Sequence, residues 1–267
     1  MPPFYLGGTL KIMNFKTIKD SVLFYISVPK CVGCKIKLSR SDVALCPDCL
    51  KEYDNIKQRN CSICAKPLDF CTCTNKYLDS HYIHKLIKVF RYVQREPLPS
   101  NNLIYSLKRD NRRDVLEFLS RELIDAISHS IINVNECVFT NVPRRREARS
   151  KYGFDHAKLL AKYIANHFSA QYYQPIISKA KISQKKTLGR DRIKNATFKL
   201  KTKTKDLTGK TVVIVDDIVT TGSSMGACAT LIRALGAKRI IGAAISIAYK
   251  DMYTPINRED RFYSNTK

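Results

Sequence analysis

Val212-Val213-Ile214-Val215-Asp216-Asp217-Ile218-Val219-Thr220-Thr221-Gly222-Ser223-Ser224 carries three physical signals in one short stretch. The β-branched run reads as a strand, Thr211 to Val215, buried on both faces. Two adjacent carboxylates, Asp216 and Asp217, stand where that strand is expected to end. A loop of small, hydroxyl-bearing residues follows and leads into a helical apolar pattern from Met225 to Leu235. Open α/β sheets bind ligands at the carboxyl ends of their strands. A helix start built from Gly and Ser offers free backbone N–H groups and favours a phosphate. Carboxylates beside it can accept hydrogen bonds from sugar hydroxyls and help to hold Mg²⁺ indirectly. Together these features point to a phosphorylated, activated sugar.

The chain around this stretch alternates strand and helix signals. Strands are expected at Leu86 to Tyr92, Cys137 to Val142, Pro175 to Ile177 and Ile240 to Ala248. Helices are expected at Asn101 to Leu107, at Arg113 to Ile127 with Leu116, Leu119, Leu123 and Ile127 on one stripe, and at Asp155 to Phe168. In the last of these Leu159, Leu160, Tyr163 and Ile164 are expected inward, with Asp155 as N-cap. His156 reads as a surface residue. Such alternation predicts an α/β fold with a mostly parallel sheet flanked by helices.

Eight of the ten cysteines lie between residues 31 and 73. They read Cys31-x2-Cys34, Cys46-x2-Cys49, Cys61-x2-Cys64 and Cys71-x-Cys73. A Cys-x2-Cys turn aims two thiolates at one tetrahedral ion, and a second pair closes the site. A disulfide framework would need an oxidising compartment, and residues 1–30 lack the cleavage pattern of a secretory signal. Two four-thiolate Zn²⁺ sites of structural type are expected. The simplest pairing joins Cys31, Cys34, Cys46 and Cys49, and then Cys61, Cys64, Cys71 and Cys73; an interleaved pairing also satisfies the spacing. His81 and His84 read as surface or packing residues. Cys137 and Cys228 read as buried small apolar residues.

The 267 residues suffice for one ordinary domain and a small accessory one. The expected division is an extension and helix over 1–28, a cysteine-rich double ribbon over 29–75, the α/β domain over 80–250 and a tail over 251–267. Met13 is an alternative start, and Ile18, Val22 and Tyr25-Ile26 recur at helical spacing. No apolar run is long enough to span a membrane, and a cytoplasmic location is expected. The net charge of +24 favours polyanionic partners, although a Lys-rich composition spread over solvated faces would also produce it. The charge concentrates at Arg144, Arg145, Arg146, Arg149 and Lys151, and again over Lys179 to Lys210, where twelve Lys or Arg face two Asp.

The Val212–Ser224 stretch resembles the phosphoribosyl-pyrophosphate (PRPP) loop of type I phosphoribosyltransferases. The resemblance implies that Asp216 and Asp217 contact the ribose hydroxyls. It implies that Thr220, Thr221, Gly222, Ser223 and Ser224 wrap the 5′-phosphate. Val142-Pro143-Arg144 through Gly153-Phe154-Asp155-His156, and Gln184 through Asp191-Arg192-Ile193-Lys194-Asn195, resemble two segments of the ComF family. That family joins a double zinc ribbon to a phosphoribosyltransferase-type domain and is associated with DNA uptake in natural competence. Here Tyr152 stands where the family has Arg, and Asp155-His156 where it has Asn-Gln. The resemblance implies a pyrophosphate-side loop, a mobile loop and the PRPP loop, in that order. Arg144, Arg149 and Arg192 become candidates to stabilise departing pyrophosphate together with Mg²⁺. Two functions follow as expectations. One is transfer of phosphoribosyl from PRPP to an acceptor. The other is a non-catalytic protein that binds single-stranded DNA or competence-machinery proteins on a phosphate-binding scaffold.

Overall fold

A computed structural model describes residues 29–39, 43–93, 96–110, 112–144, 154–178 and 198–248. The expected helix near residues 18–26, Arg149, Gln184 and Arg192 lie outside the described residues, as does most of the second basic cluster.

The elements are β1 (Ile83–Arg91), β2 (Val138–Asn141), β3 (Gln171–Tyr172), β4 (Ile176–Ser178), β5 (Phe198–Leu200), β6 (Thr211–Val219) and β7 (Arg239–Ile247). The helices are α1 (Pro47–Lys57), α2 (Lys76–Asp79), α3 (Pro99–Arg109), α4 (Arg113–Ser130), α5 (His156–His167) and α6 (Ser223–Ala234). Among the described residues the main sheet has five strands in the order β1-β7-β6-β2-β3, each pair parallel. β4 and β5 form a separate antiparallel pair.

The sheet is apolar on both faces because helices cover both, as a parallel sheet requires. In β6, Val213 and Val215 join the core beneath α4 and α5, while Val212, Ile214 and Val219 join the core beneath α6. β6 is longer than expected. The Asp216-Asp217 pair interrupts the apolar run but not the ladder, since Asp216 pairs with Ala244, Ile218 with Ser246 and Val219 with Ile247. The acids therefore sit inside the second half of the strand, and α6 starts at Ser223 rather than Met225. β1 likewise starts earlier than expected, at Ile83.

On α5 the inward stripe is His156, Ala157, Leu160, Ala161, Ile164 and Ala165. Tyr163 is exposed and Leu159 only half-buried, so the expected stripe is rotated toward the alanines. Small side chains let the helix lie close on the sheet. The same rotation takes His156 inward, and it is 2% exposed.

The cysteine-rich region packs against both faces of the sheet. Cys31, Cys46 and Cys49 share a core with Tyr53, Phe90 and Leu119. Cys61 and Cys71 share the other core with Leu78, Val219 and Met225. Cys137 and Cys228 are both buried. Among the described residues, no helix is long and apolar enough to cross a membrane.

Candidate functional site

The carboxyl end of β6 presents Asp216 and Asp217, both half-buried. Each carboxylate is braced by the chain beside it. Asp216 Oδ1 accepts from the Asp217 N–H at 2.9 Å, and Asp217 Oδ1 accepts from the Ile218 N–H at 2.7 Å. Burial, and then the adjacent Asp217 charge, hold the Asp216 carboxyl well above the usual carboxylate range. A cation the sequence did not reveal partly offsets this. Lys108, in the last turn of α3, places Nζ 3.4 Å from Asp217 Oδ2.

Thr220, Thr221 and Gly222 then turn the chain into α6. Gly222 is the N-cap, with φ +83°, and a Cβ there would lie 2.7 Å from Leu78 Cγ. Both the left-handed backbone and the lack of space demand glycine. Thr221 Oγ1 accepts from the Ser223 N–H at 3.3 Å and donates to Ser223 Oγ at 3.1 Å. The loop thus delivers hydroxyls and first-turn N–H groups beside two carboxylates, a setting for a phosphate next to a polyhydroxylated carbon skeleton.

Arg144 and His156 stand at the neighbouring strand end. Asp155 caps α5, as expected, with Oδ1 accepting from the Lys158 N–H at 3.1 Å. Its Oδ2 accepts from the Arg144 N–H at 3.4 Å, which ties the chain just after β2 to the start of α5. The Arg144 guanidinium donates to Phe154 O at 3.1 Å and to His156 Nδ1 at 2.9 Å. A guanidinium can only donate, so Nδ1 accepts and the imidazole carries its proton on Nε2. Burial, then the Arg144 charge, lower the His156 pKa and keep the ring neutral. Its buried Nε2 has no hydrogen-bond partner among the described residues. His156 is therefore a buried polar group and not the surface residue expected. Behind it, buried Asn141 Oδ1 accepts from Tyr172 Oη and from Gln174 Nε2, each at 2.7 Å, which fixes where the chain leaves β2.

A cleft of about 570 Å³ lies elsewhere, at the amino ends of the strands, lined by residues including Lys85, Glu136, Lys210 and Arg239. It faces the carboxyl end of α4 at Ser130, where the helix dipole opposes an anion. The paired acids and the phosphate-type turn are at the opposite edge of the sheet.

The cysteines gather in two groups: Cys31, Cys34, Cys46 and Cys49, and Cys61, Cys64, Cys71 and Cys73. In each, the Sγ atoms lie within 4.8 Å of one another. The interleaved pairing is thereby excluded. The two opening turns repeat one local structure. Cys31 N–H donates to Ile36 O and Cys61 N–H to Lys66 O, both at 2.8 Å, with Lys35 and Ala65 left-handed four residues after the first cysteine. Across each group, Sγ atoms of Cys34 and Cys46, and of Cys64 and Cys71, are 3.6 Å apart. A tetrahedral ion with bonds of about 2.3 Å to sulfur needs edges of about 3.8 Å, so both groups fit zinc. Burial pushes the Cys31 thiol up, but backbone N–H groups of Cys34 and Cys46 outweigh it and bring it down to about 7. Cys64 is likewise brought to about 7, against burial, chiefly by the Lys66 N–H. Neither His81 nor His84 joins either group. At the acid pair no protein cage for a cation exists among the described residues.

A phosphoribosyl transferase domain model matches residues 157–266. Competence protein F of Haemophilus influenzae is 24% identical over 222 residues, covering 79% of this chain and 93% of that protein. Among solved structures, a purine phosphoribosyltransferase from Pyrococcus horikoshii Ot3 covers 52% of this chain and 93% of its own, at 17% identity and a TM-score of 0.34. An adenine phosphoribosyltransferase from Leishmania tarentolae covers 56% and 77%, at 12% identity and a TM-score of 0.35. With its cysteine groups ahead of a phosphoribosyl transferase domain, the chain is a homologue of competence protein F.

Proposed function

We propose that this chain binds PRPP with Mg²⁺ at the end of β6 and acts in DNA uptake during competence. The observation that carries the reading is the juxtaposition of Asp216 and Asp217 with the left-handed Gly222 turn at the start of α6. In this reading the carboxylates accept hydrogen bonds from the ribose 2′ and 3′ hydroxyls. Thr220 to Ser224 hold the 5′-phosphate, and Arg144 with Arg149 and Arg192 face the pyrophosphate. Bound Mg²⁺ would neutralise charge on the departing pyrophosphate. Transfer would break the bond from C1 to pyrophosphate oxygen, whose electron pair leaves with pyrophosphate. An acceptor nucleophile would then bond to C1 and lose its proton. That makes the chain a pentosyl transferase of unassigned acceptor. The eight gathered thiols would carry two structural Zn²⁺ ions, which suits a reducing, cytoplasmic setting.

Calorimetry tests the reading. The native chain with Mg²⁺ is expected to bind PRPP, and the Asp216→Asn, Asp217→Asn double variant to lose at least tenfold in affinity. A folded native chain that binds no PRPP sinks it.

The net charge of +24 supports the second function, single-stranded DNA binding on the same scaffold. Such binding should weaken steeply between 50 and 200 mM salt, by roughly tenfold or more. Partners among the competence proteins would use the same basic surface.

A further inference from the structure

The phosphate loop has an outer wall that lies outside the matched phosphoribosyl transferase domain. Asn75 sits two residues beyond Cys73. Its Oδ1 caps α2 by accepting from the Leu78 N–H at 2.8 Å, while its Nδ2 donates to Thr221 O in the loop at 3.3 Å. Leu78 is wholly buried, and its side chain occupies the space that a Cβ on Gly222 would need. One turn along, a Cβ on Gly226 of α6 would lie 2.9 Å from Tyr77 Cε1 and 3.2 Å from His81. Those two rings stack at 4.2 Å. The segment over residues 75–82 is thus pressed against both the loop and the first turn of α6.

The second cysteine group is tied to β1, the strand that follows this segment, and shares a core with Leu78. Thr72 O accepts from the Leu86 N–H at 3.0 Å. The wholly buried Lys88 donates to Cys73 O at 2.7 Å and to Cys71 O at 3.2 Å. Cys61, Cys71, Leu78, Val219 and Met225 share one core. The first cysteine group lies in the core on the opposite face.

We infer that Leu78 and Asn75 are positioning residues for the phosphate loop, and that a metal ion in the second cysteine group strengthens the loop's grip on its phosphate. The inference rests on reading Thr220 to Ser224 as the 5′-phosphate site. An ordered wall fixes the Gly222 turn and so aims the first-turn N–H groups of α6. If the wall loosens, the loop must be ordered at the expense of binding. Coupling of this kind is reciprocal: a phosphate ligand must hold the second metal as firmly as that metal favours the ligand.

The test uses the full chain loaded with Zn²⁺ and titrated with PRPP and Mg²⁺, then with ribose 5-phosphate alone. Leu78→Ala is expected to weaken both ligands at least fivefold, and Leu78→Met, close to it in volume, to restore affinity within twofold. Leu123→Ala, a like truncation in the opposite core, is expected to lower the melting temperature and leave affinity unchanged. In parallel, a colorimetric chelator draws zinc from the native chain. PRPP with Mg²⁺ should slow the release of one zinc equivalent at least fivefold and leave the other unchanged, and Leu78→Ala should abolish that protection. Native binding that Leu78→Ala matches, or bound PRPP that protects neither zinc or both alike, overturns this inference and leaves PRPP binding standing. No PRPP binding by the native chain overturns the function itself.

Discussion

Asp216 shows what a buried carboxylate beside a second one costs the fold. Its pKa is raised by burial and by the charge next to it, against the pull of the Asp217 N–H and of Lys108. The native state therefore holds a proton more tightly than the unfolded chain does. Stability falls as pH climbs from the ordinary carboxylate value, about 4, through the raised native value. Asp216→Asn keeps the shape and removes the charge. It is expected to melt about 2–4 °C above the native chain at pH 8 for about 1 kcal/mol gained, with the gap closing toward pH 4. Calorimetric scans of both proteins across that range check this, and a gap indifferent to pH would refute it. The acid pair was legible in the sequence because it breaks an apolar run. Lys108 was not, since a lysine in the last turn of a helix is common chemistry for the helix dipole. His156 was hidden for another reason. A polar residue beside an N-cap reads as solvated until the rotation of its helix is known.

At the scale of elements, β1 joins the second cysteine group to the sheet. Its register with β7 shifts between Ile83 and Leu86, after which Leu86, Ile87 and Lys88 pair in sequence. Lys88 is buried, yet its ammonium is satisfied by the carbonyls of Cys71, Cys73 and Leu86 at 2.7 to 3.2 Å. Lys88→Met would keep the stem and strand those three acceptors. Each orphaned group costs about 1–3 kcal/mol, so a loss of at least about 2 kcal/mol is expected in denaturant unfolding, along with faster zinc release. Unchanged stability would show that water replaces the ammonium. A second clasp ties α1 to α4, where Glu122 Oε2 accepts from Tyr53 Oη at 3.0 Å and Lys57 Nζ at 2.7 Å. Elements with strong periodicity, such as α4 and β6, were legible from pattern alone. The four-residue α2 was not, because it falls between the expected cysteine-rich and α/β regions and is held by Leu78 and Asn75 against the loop after β6.

Across the whole molecule, the two cysteine groups belong to two different cores, one on each face of the sheet. A metal ion in either would stabilise the entire fold rather than a detachable module. Chelation is expected to lower the melting temperature by on the order of 10 °C, with the unfolding of residues 29–248 remaining one cooperative transition. Two separate transitions in a calorimetric scan would contradict this. The spacing of the cysteines announced two four-thiolate sites but left two pairings open, and the fold selects the sequential one. The spacing held nothing about which face each would cover, since that depends on a strand the cysteines precede. The sheet order has a further meaning for how the chain is made. β1 is synthesised early, yet among the described residues its ladder partner is β7, near the end. An emerging polypeptide must keep the apolar side chains of Ile87, Val89 and Phe90 waiting while some hundred and fifty residues follow them out of the ribosome. Long-range parallel pairing of this sort is slow. The sheet should therefore close only after β7 has emerged, and a nascent chain stalled before Arg239 should be the species that chaperones hold.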